Sequence, residues 1–125
     1  MRIPAILALL SLSSHVISGE ADILAAEAEH IGGDFYRFNV TVEHNDESWD
    51  HYAKAWEVIG PDGEILGVRV LRHPHIKEQP FTRSQIVTIP PHIDHVTIRA
   101  YDLVHKYGGK ELTLKLNKEK QDEIK

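Results

Sequence analysis

The chain has 125 residues, of which 26% are charged and 42% are hydrophobic, and its formal net charge is −5. These values predict one globular domain and argue against a disordered chain or one embedded in a membrane. The negative charge and the lack of a basic stripe exclude a general nucleic-acid binder. The sequence contains no cysteine, so the hydrophobic core has to hold the fold without a disulfide.

The N-terminal segment has the three-part pattern of a secretory signal peptide, which we place at residues 1–20. Arg2 precedes an apolar run over residues 3–12, and small and polar residues follow. The run is too short to span a bilayer of about 30 Å as a helix. We therefore expect an exported protein, periplasmic or secreted, with no transmembrane anchor in its mature part. An amphipathic N-terminal helix that stays in the mature protein is the alternative.

The mature part, residues 21–117, is dominated by alternation of apolar and polar residues, which predicts strands. Turn residues separate the segments, most clearly at Gly60-Pro61-Asp62-Gly63 and at Pro90-Pro91. A charged tail, residues 118–125, completes the chain. The predicted strands are residues 23–28, 36–43, 52–59, 64–71, 82–89, 96–101 and 112–116.

No segment of the mature part has a convincing helical period. Seven short strands separated by turns predict an all-β fold, an immunoglobulin-like seven-stranded antiparallel β-sandwich. Trp56, near the middle of the third strand, is the expected anchor of the core.

The connections between antiparallel strands alternate between the two ends of such a sandwich. This alternation predicts at which end each of the histidines in the loops lies; the sequence has nine histidines in all. Residues 44–51, 72–81 and 103–109 are predicted to share one end, which we call the top end. His44 continues the inward parity of the second strand and Asp102 that of the sixth, so both should point inward. The histidines expected at the top end are His44, His51, His73, His75 and His105.

Several imidazoles beside a carboxylate form a donor set that suits a divalent transition metal. The predicted ligands are the five histidines of the top end and Asp102. In the H-P-H sequence, Pro74 favours extended geometry at His73, which puts His73 and His75 on one face. Copper(II) or zinc(II) is the expected ion, ahead of iron, because the mature chain has no Met or Cys to retain Cu(I).

Other interpretations of the histidine-rich end stay open. It could be a polar recognition surface for a protein or another ligand of the cell envelope, with no metal. It could also belong to a redox enzyme, although no nucleophile elbow, phosphate loop or HExxH motif is present. Glu78 or Gln79 could orient an imidazole by accepting its second N–H, and either could equally cap the loop.

Three segments resemble a family of small exported bacterial sandwich proteins whose function is unassigned. They are WDHYAKAWEV (residues 49–58), LRHPHIKEQPFTRS (residues 71–84) and VHKYGG (residues 104–109). The resemblance covers most of the mature chain and implies a fold but no activity.

A more distant resemblance connects two of the loops to the iron site of superoxide reductases (desulfoferrodoxins). His44, the H-Y pair at His51, Trp56 and the A-Y-D-L-V-H segment that ends at His105 are similar to that family's ligand motifs. The resemblance implies that His44, His51 and His105 lie together as ligands. Asp102 stands where that family has its cysteine thiolate, and two spacings are one residue longer here.

Overall fold

The computed structural model describes residues 19–45 and 50–117. Nearly all of the predicted signal peptide and the whole charged tail lie outside these residues. Over the described ranges the chain forms strands, turns and loops, and it has no helix long and apolar enough to cross a membrane. The strands are β1 (Asp22–Gly32), β2 (Phe35–Glu43), β3 (Ala53–Ile59), β4 (Ile65–Val70), β5 (Phe81–Thr88), β6 (His95–Asp102) and β7 (Leu112–Lys115).

The strands form two sheets, one with the order β1-β2-β5 and one with the order β4-β3-β6-β7. Every pairing of neighbouring strands is antiparallel. The predicted all-β fold of seven antiparallel strands is therefore confirmed. Its finer likeness to immunoglobulin domains stays a prediction.

The core lies between the sheets and follows from the alternation in the sequence. In β2 every second residue from Tyr36 to Val42 is buried, and the residues between them are partly exposed. From the other sheet, Trp56 and Val58 enter the same cluster and are fully buried. Each large apolar side chain buried in this way stabilises the fold by about 1.5–3 kcal/mol. The interior is thus built from two apolar faces, with Trp56 at its centre as predicted.

Strand β1 is longer than its sequence pattern predicted and extends to Gly32. Its last part pairs with the start of β2, where Glu29 lies opposite Arg37 and His30 opposite Tyr36. The His30 ring donates from Nε2 to the carbonyl of Gly33 over 2.7 Å. These contacts hold the hairpin together although the residues of β1 alternate only weakly in polarity.

The register of the strands brings the predicted loops to one end. Val42 at the end of β2 pairs with Phe81 at the start of β5, which places the end of the loop 71–80 beside the end of β2. Ala53 at the start of β3 pairs with Asp102 at the end of β6. Residues 44–45 after β2, residues 50–52 before β3 and the loops 71–80 and 103–111 therefore share the top end.

Candidate metal centre

His44 and Asp102 both point into the top of the core, as their parity in the strands predicts. His44 follows β2 of the three-stranded sheet and is 2% exposed, whereas Asp102 ends β6 of the other sheet and is completely buried. The two side chains meet between the sheets, with 3.3 Å between His44 Nε2 and Asp102 Oδ2. A carboxylate buried at this depth is costly unless hydrogen bonds or cations compensate its charge.

The turn that follows β6 supplies part of that compensation. Asp102 Oδ1 accepts hydrogen bonds from the backbone N–H of Val104 over 2.7 Å and of His105 over 2.6 Å. The backbone of Asp102 also exchanges two hydrogen bonds with Lys106, whose φ of 60° lets the chain turn back sharply. Oδ1 is thus engaged by the turn, and Oδ2 is the oxygen that faces His44.

His51, in the segment before β3, completes a compact group of donors. Its Nε2 lies 3.3 Å from His44 Nε2 and 3.6 Å from Asp102 Oδ1. Among the described residues, His44, His51 and Asp102 form a group whose candidate ligand atoms all lie within 4.8 Å of one another. The three residues come from different parts of the chain, and the two sheets bring them together.

The distances within this group match those between ligands of a tetrahedral ion. With metal–ligand bonds of about 2.0–2.1 Å, two ligands at a tetrahedral angle lie about 3.3–3.4 Å apart. Ligands at the right angle of a square-planar ion would lie only about 2.9 Å apart. The two separations of 3.3 Å, from His44 Nε2 to His51 Nε2 and to Asp102 Oδ2, are therefore closer to the tetrahedral value, whereas the 3.6 Å separation from His51 involves the other oxygen of Asp102.

His105 lies beside the group. Its Nδ1 is 3.3 Å from Asp102 Oδ2, and its ring centroid is 5.1 Å from that of His51. Gly19 packs against the ring, so closely that a Cβ at that position would come within 2.9 Å of His105 Cε1. His105 can thus donate a hydrogen bond that orients the carboxylate.

The H-P-H pair lies elsewhere at the top end, and the group of three does not include it. His75 is 5% exposed and stacks on the ring of Phe81, with the centroids 3.9 Å apart and the planes at 10°. His73 is exposed, and its Nδ1 donates to the carbonyl of Pro74 over 3.1 Å. Metal binding by His73 and His75 stays a prediction.

Gln79 connects the two parts of the top end. Its Oε1 accepts the backbone N–H of His44 over 3.0 Å, and its Nε2 donates to the carbonyl of His75 over 2.8 Å. The sequence left two roles open for Gln79, the orientation of an imidazole ring and the capping of the loop, and in these two bonds the amide holds backbone groups. The sequence contains only a weak signal for this connection, because a Gln side chain in a loop can form hydrogen bonds with many partners.

A polar cluster that the sequence did not predict lies on the outer face of the four-stranded sheet. Glu57 accepts hydrogen bonds from Arg99 Nε over 2.9 Å and from the Tyr107 hydroxyl over 2.8 Å. The Arg99 guanidinium lies 3.9 Å from the centroid of the Tyr107 ring. Burial, and then the hydrogen bond to Glu57, raise the pKa of Tyr107. The cluster fixes the loop after β6 against the sheet.

Comparison with known proteins gives one informative relative. The chain is 36% identical over 95 residues to a protein of Halomicrobium mukohataei named "Putative lipoprotein", and the match covers 76% of this chain and 47% of that protein. The chain thus spans about half the length of the relative. No family model and no solved structure matches the chain. The predicted resemblance to exported proteins of unassigned function fits these findings, whereas the resemblance to superoxide reductases gains no support from them.

Proposed function

We propose that this protein is an exported or envelope-associated β-sandwich that binds one divalent transition-metal ion at its top end. His44, His51 and Asp102 are the proposed ligands. The observation that carries the proposal is the convergence of His44 Nε2, His51 Nε2 and the buried Asp102 carboxylate at separations of 3.3–3.6 Å. The name of the relative supports the envelope assignment.

The number of hydrogens that these nitrogens can carry also favours a cation bound between them. The two Nε2 atoms and the carboxylate oxygens face one another, and each Nε2 carries at most one hydrogen. If both imidazoles donate to Asp102, their N–H groups lie side by side; if one donates to the other, the accepting Nε2 carries no hydrogen that it could donate to Asp102. A cation between the three groups lets every lone pair point toward positive charge.

Zinc(II) is the favoured ion. The observed separations fit tetrahedral geometry, which zinc prefers, better than the square-planar geometry that Cu(II) prefers. Two imidazoles and one carboxylate occur as a donor set in zinc proteins, with water at the fourth position. His105 is proposed to support the site by donating from Nδ1 to Asp102, as groups around metal ligands commonly do.

Isothermal titration of the chelator-treated protein with zinc(II) and copper(II) tests the proposal. We expect one ion per chain with a dissociation constant below about 10 μM, which corresponds to roughly 7 kcal/mol. The variant His51→Ala should lose this binding, because His51 Nε2 is one of the three converging donors. His95→Ala is the matched control, since His95 is exposed and lies on β6 at the opposite end from Asp102.

The proposal fails if the protein binds neither ion in this range, or if His51→Ala binds as tightly as the wild type. Circular dichroism of His51→Ala shows whether lost binding reflects lost ligands or lost fold. The double variant His73→Ala/His75→Phe tests the H-P-H prediction separately, because Phe keeps the stack on Phe81. Lower affinity in that variant would place the pair among the ligands.

A further inference from the structure

Strands β4 and β5 are edge strands of different sheets and lie next to each other. At Gly67 the two edges are so close that an added Cβ would come within 2.6 Å of the Val87 side chain. Nearer the top end, from Val68 onward, a cavity of about 460 Å³ opens between β4, the start of the loop 71–80 and β5. Its volume is in the range of sites for small molecules.

The lining of this cavity is strongly basic although the whole chain is acidic. It includes three arginines and two histidines but no Asp or Glu, whereas the net charge of the chain is −5. The basic lining residues are Arg69, Arg72, Arg83, His73 and His75.

Among the described residues, two of the three guanidinium groups form no ion pair with a carboxylate. Arg83 is paired with Glu78, with 3.1 Å between Nη2 and Oε1, and its hydrogen bond lowers the pKa of Glu78. Arg69 instead donates from Nη1 to the carbonyl of Ser84 over 2.8 Å, and its buried Nε has no hydrogen-bond partner among residues 19–45 and 50–117. Arg72 is exposed and makes no ion pair within those same ranges.

A guanidinium group recognises carboxylate and phosphate oxygens through pairs of parallel N–H donors. Two guanidinium groups that form no ion pair among the described residues line one small cavity. Such a cavity therefore favours the binding of an anion with more than one charge. His73 is exposed on the same wall of the cavity, and its imidazole is a further polar group there. We propose that the cleft between β4 and β5 binds a small multivalent oxyanion, and that Arg69 and Arg72 are its main contacts. This site is separate from the proposed metal centre, and it uses H-P-H as part of its wall.

Titration of the protein with inorganic phosphate, with citrate and with acetate tests the proposal, after metal has been removed with EDTA and the EDTA has been dialysed away into metal-free buffer. Chemical shifts of backbone amides and arginine Nε–H groups report where each anion binds. We expect phosphate or citrate to shift the signals of Arg69 and Arg72, and acetate to bind at least tenfold more weakly, because it offers only one charge. Whichever of the two multivalent anions binds more tightly identifies the kind of oxyanion group.

The variant Arg72→Gln should weaken that binding about tenfold, the usual effect of one charge-assisted contact, and should leave the fold intact because the side chain is exposed. Arg37→Gln is the control, since Arg37 lies on β2 and pairs with Glu29 outside the cleft. The proposal is overturned if neither multivalent anion shifts these signals, if acetate binds equally well, or if both variants weaken binding to the same extent. Because zinc is absent throughout, failure of the metal proposal would not affect the result.

Discussion

Substitution of Asp102 by Asn tests whether the buried carboxylate holds the proposed ion. The amide is nearly the same size, and its oxygen can still accept the N–H groups of Val104 and His105 that Asp102 Oδ1 accepts now. What disappears is the negative charge and the oxygen that faces His44. The variant thus separates the charge of Asp102 from its role in the turn.

The cost to the metal-free protein follows from these contacts. Hydrogen bonds to a charged acceptor contribute about 1.5–3 kcal/mol each, and bonds to a neutral one about 0.5–1.5 kcal/mol. The two weakened backbone bonds, offset by the smaller desolvation of an amide, give a loss of about 2 kcal/mol. The contact with His105 can persist in the reverse direction, since Nδ1 of a neutral imidazole can accept from the new amide. For a domain of this size, that loss lowers Tm by roughly 8–16 °C.

The decisive quantity is the change in stability when zinc(II) is added. At an ion concentration one hundred times the dissociation constant, binding stabilises the wild type by about 2.7 kcal/mol. If Asp102→Asn weakens binding a hundredfold, the same concentration gives only about 0.4 kcal/mol. Thermal unfolding of both proteins with zinc and with EDTA measures the two values. Asp94→Asn is the control, since Asp94 is exposed and pairs with His95 rather than with the proposed ligands. Equal stabilisation of the wild type and Asp102→Asn would refute the assignment of the carboxylate as a ligand.

Three further predictions concern the fold around the site. Gly109→Ala should destabilise the protein by about 1–3 kcal/mol, because the new Cβ would overlap the carbonyl oxygen of Ala21; an unchanged Tm would show that the two segments separate easily. Tyr107 should ionise above pH 10.0, its ordinary pKa, as a difference titration against Tyr107→Phe by ultraviolet absorbance can show. Because its pKa is raised in the folded state, its contribution to stability is complete below pH 10 and is lost as pH rises through the folded pKa, and Tyr107→Phe should lack this loss. Trp56→Ala should cost about 3–5 kcal/mol in urea unfolding, since its side chain is completely buried, and a cost below 1 kcal/mol would contradict its place at the centre of the core.

Much of the fold was predictable because the pattern of alternation is strong in this chain. The buried residues of β2 and β6 alternate strictly, and the same parity continues to His44 and Asp102. Sequence therefore predicted that both polar side chains point inward, and the count of loops placed His51 near them. A period of two is a local property of a strand, so it can be read without tertiary information.

The path of the loops was less predictable. The H-P-H segment lies at the predicted end, but the His75 ring stacks on Phe81, a choice that depends on how the loop packs after the strands have paired. The bond from Gln79 to the backbone of His44 is equally non-local. Strand order determines at which end of a sandwich a loop lies. The direction of each side chain depends instead on packing energies of a few kcal/mol.

The position of the proposed ion has a consequence for the stability of the sandwich. His44 continues from the three-stranded sheet and Asp102 ends a strand of the other sheet, and backbone hydrogen bonds of the strand pairings stay within each sheet. At the top end, the sheets are thus held together by side-chain packing, by the backbone hydrogen bond from the N–H of Ile23 to the carbonyl of Lys110 over 2.8 Å, and by loop contacts such as those of Gln79. An ion bound to His44 and Asp102 would connect the sheets directly, so its binding free energy would oppose their separation. The same ion placed within one sheet would only reinforce strands that are already paired, so the location between sheets gives a metal the greatest effect on the opening of the top end.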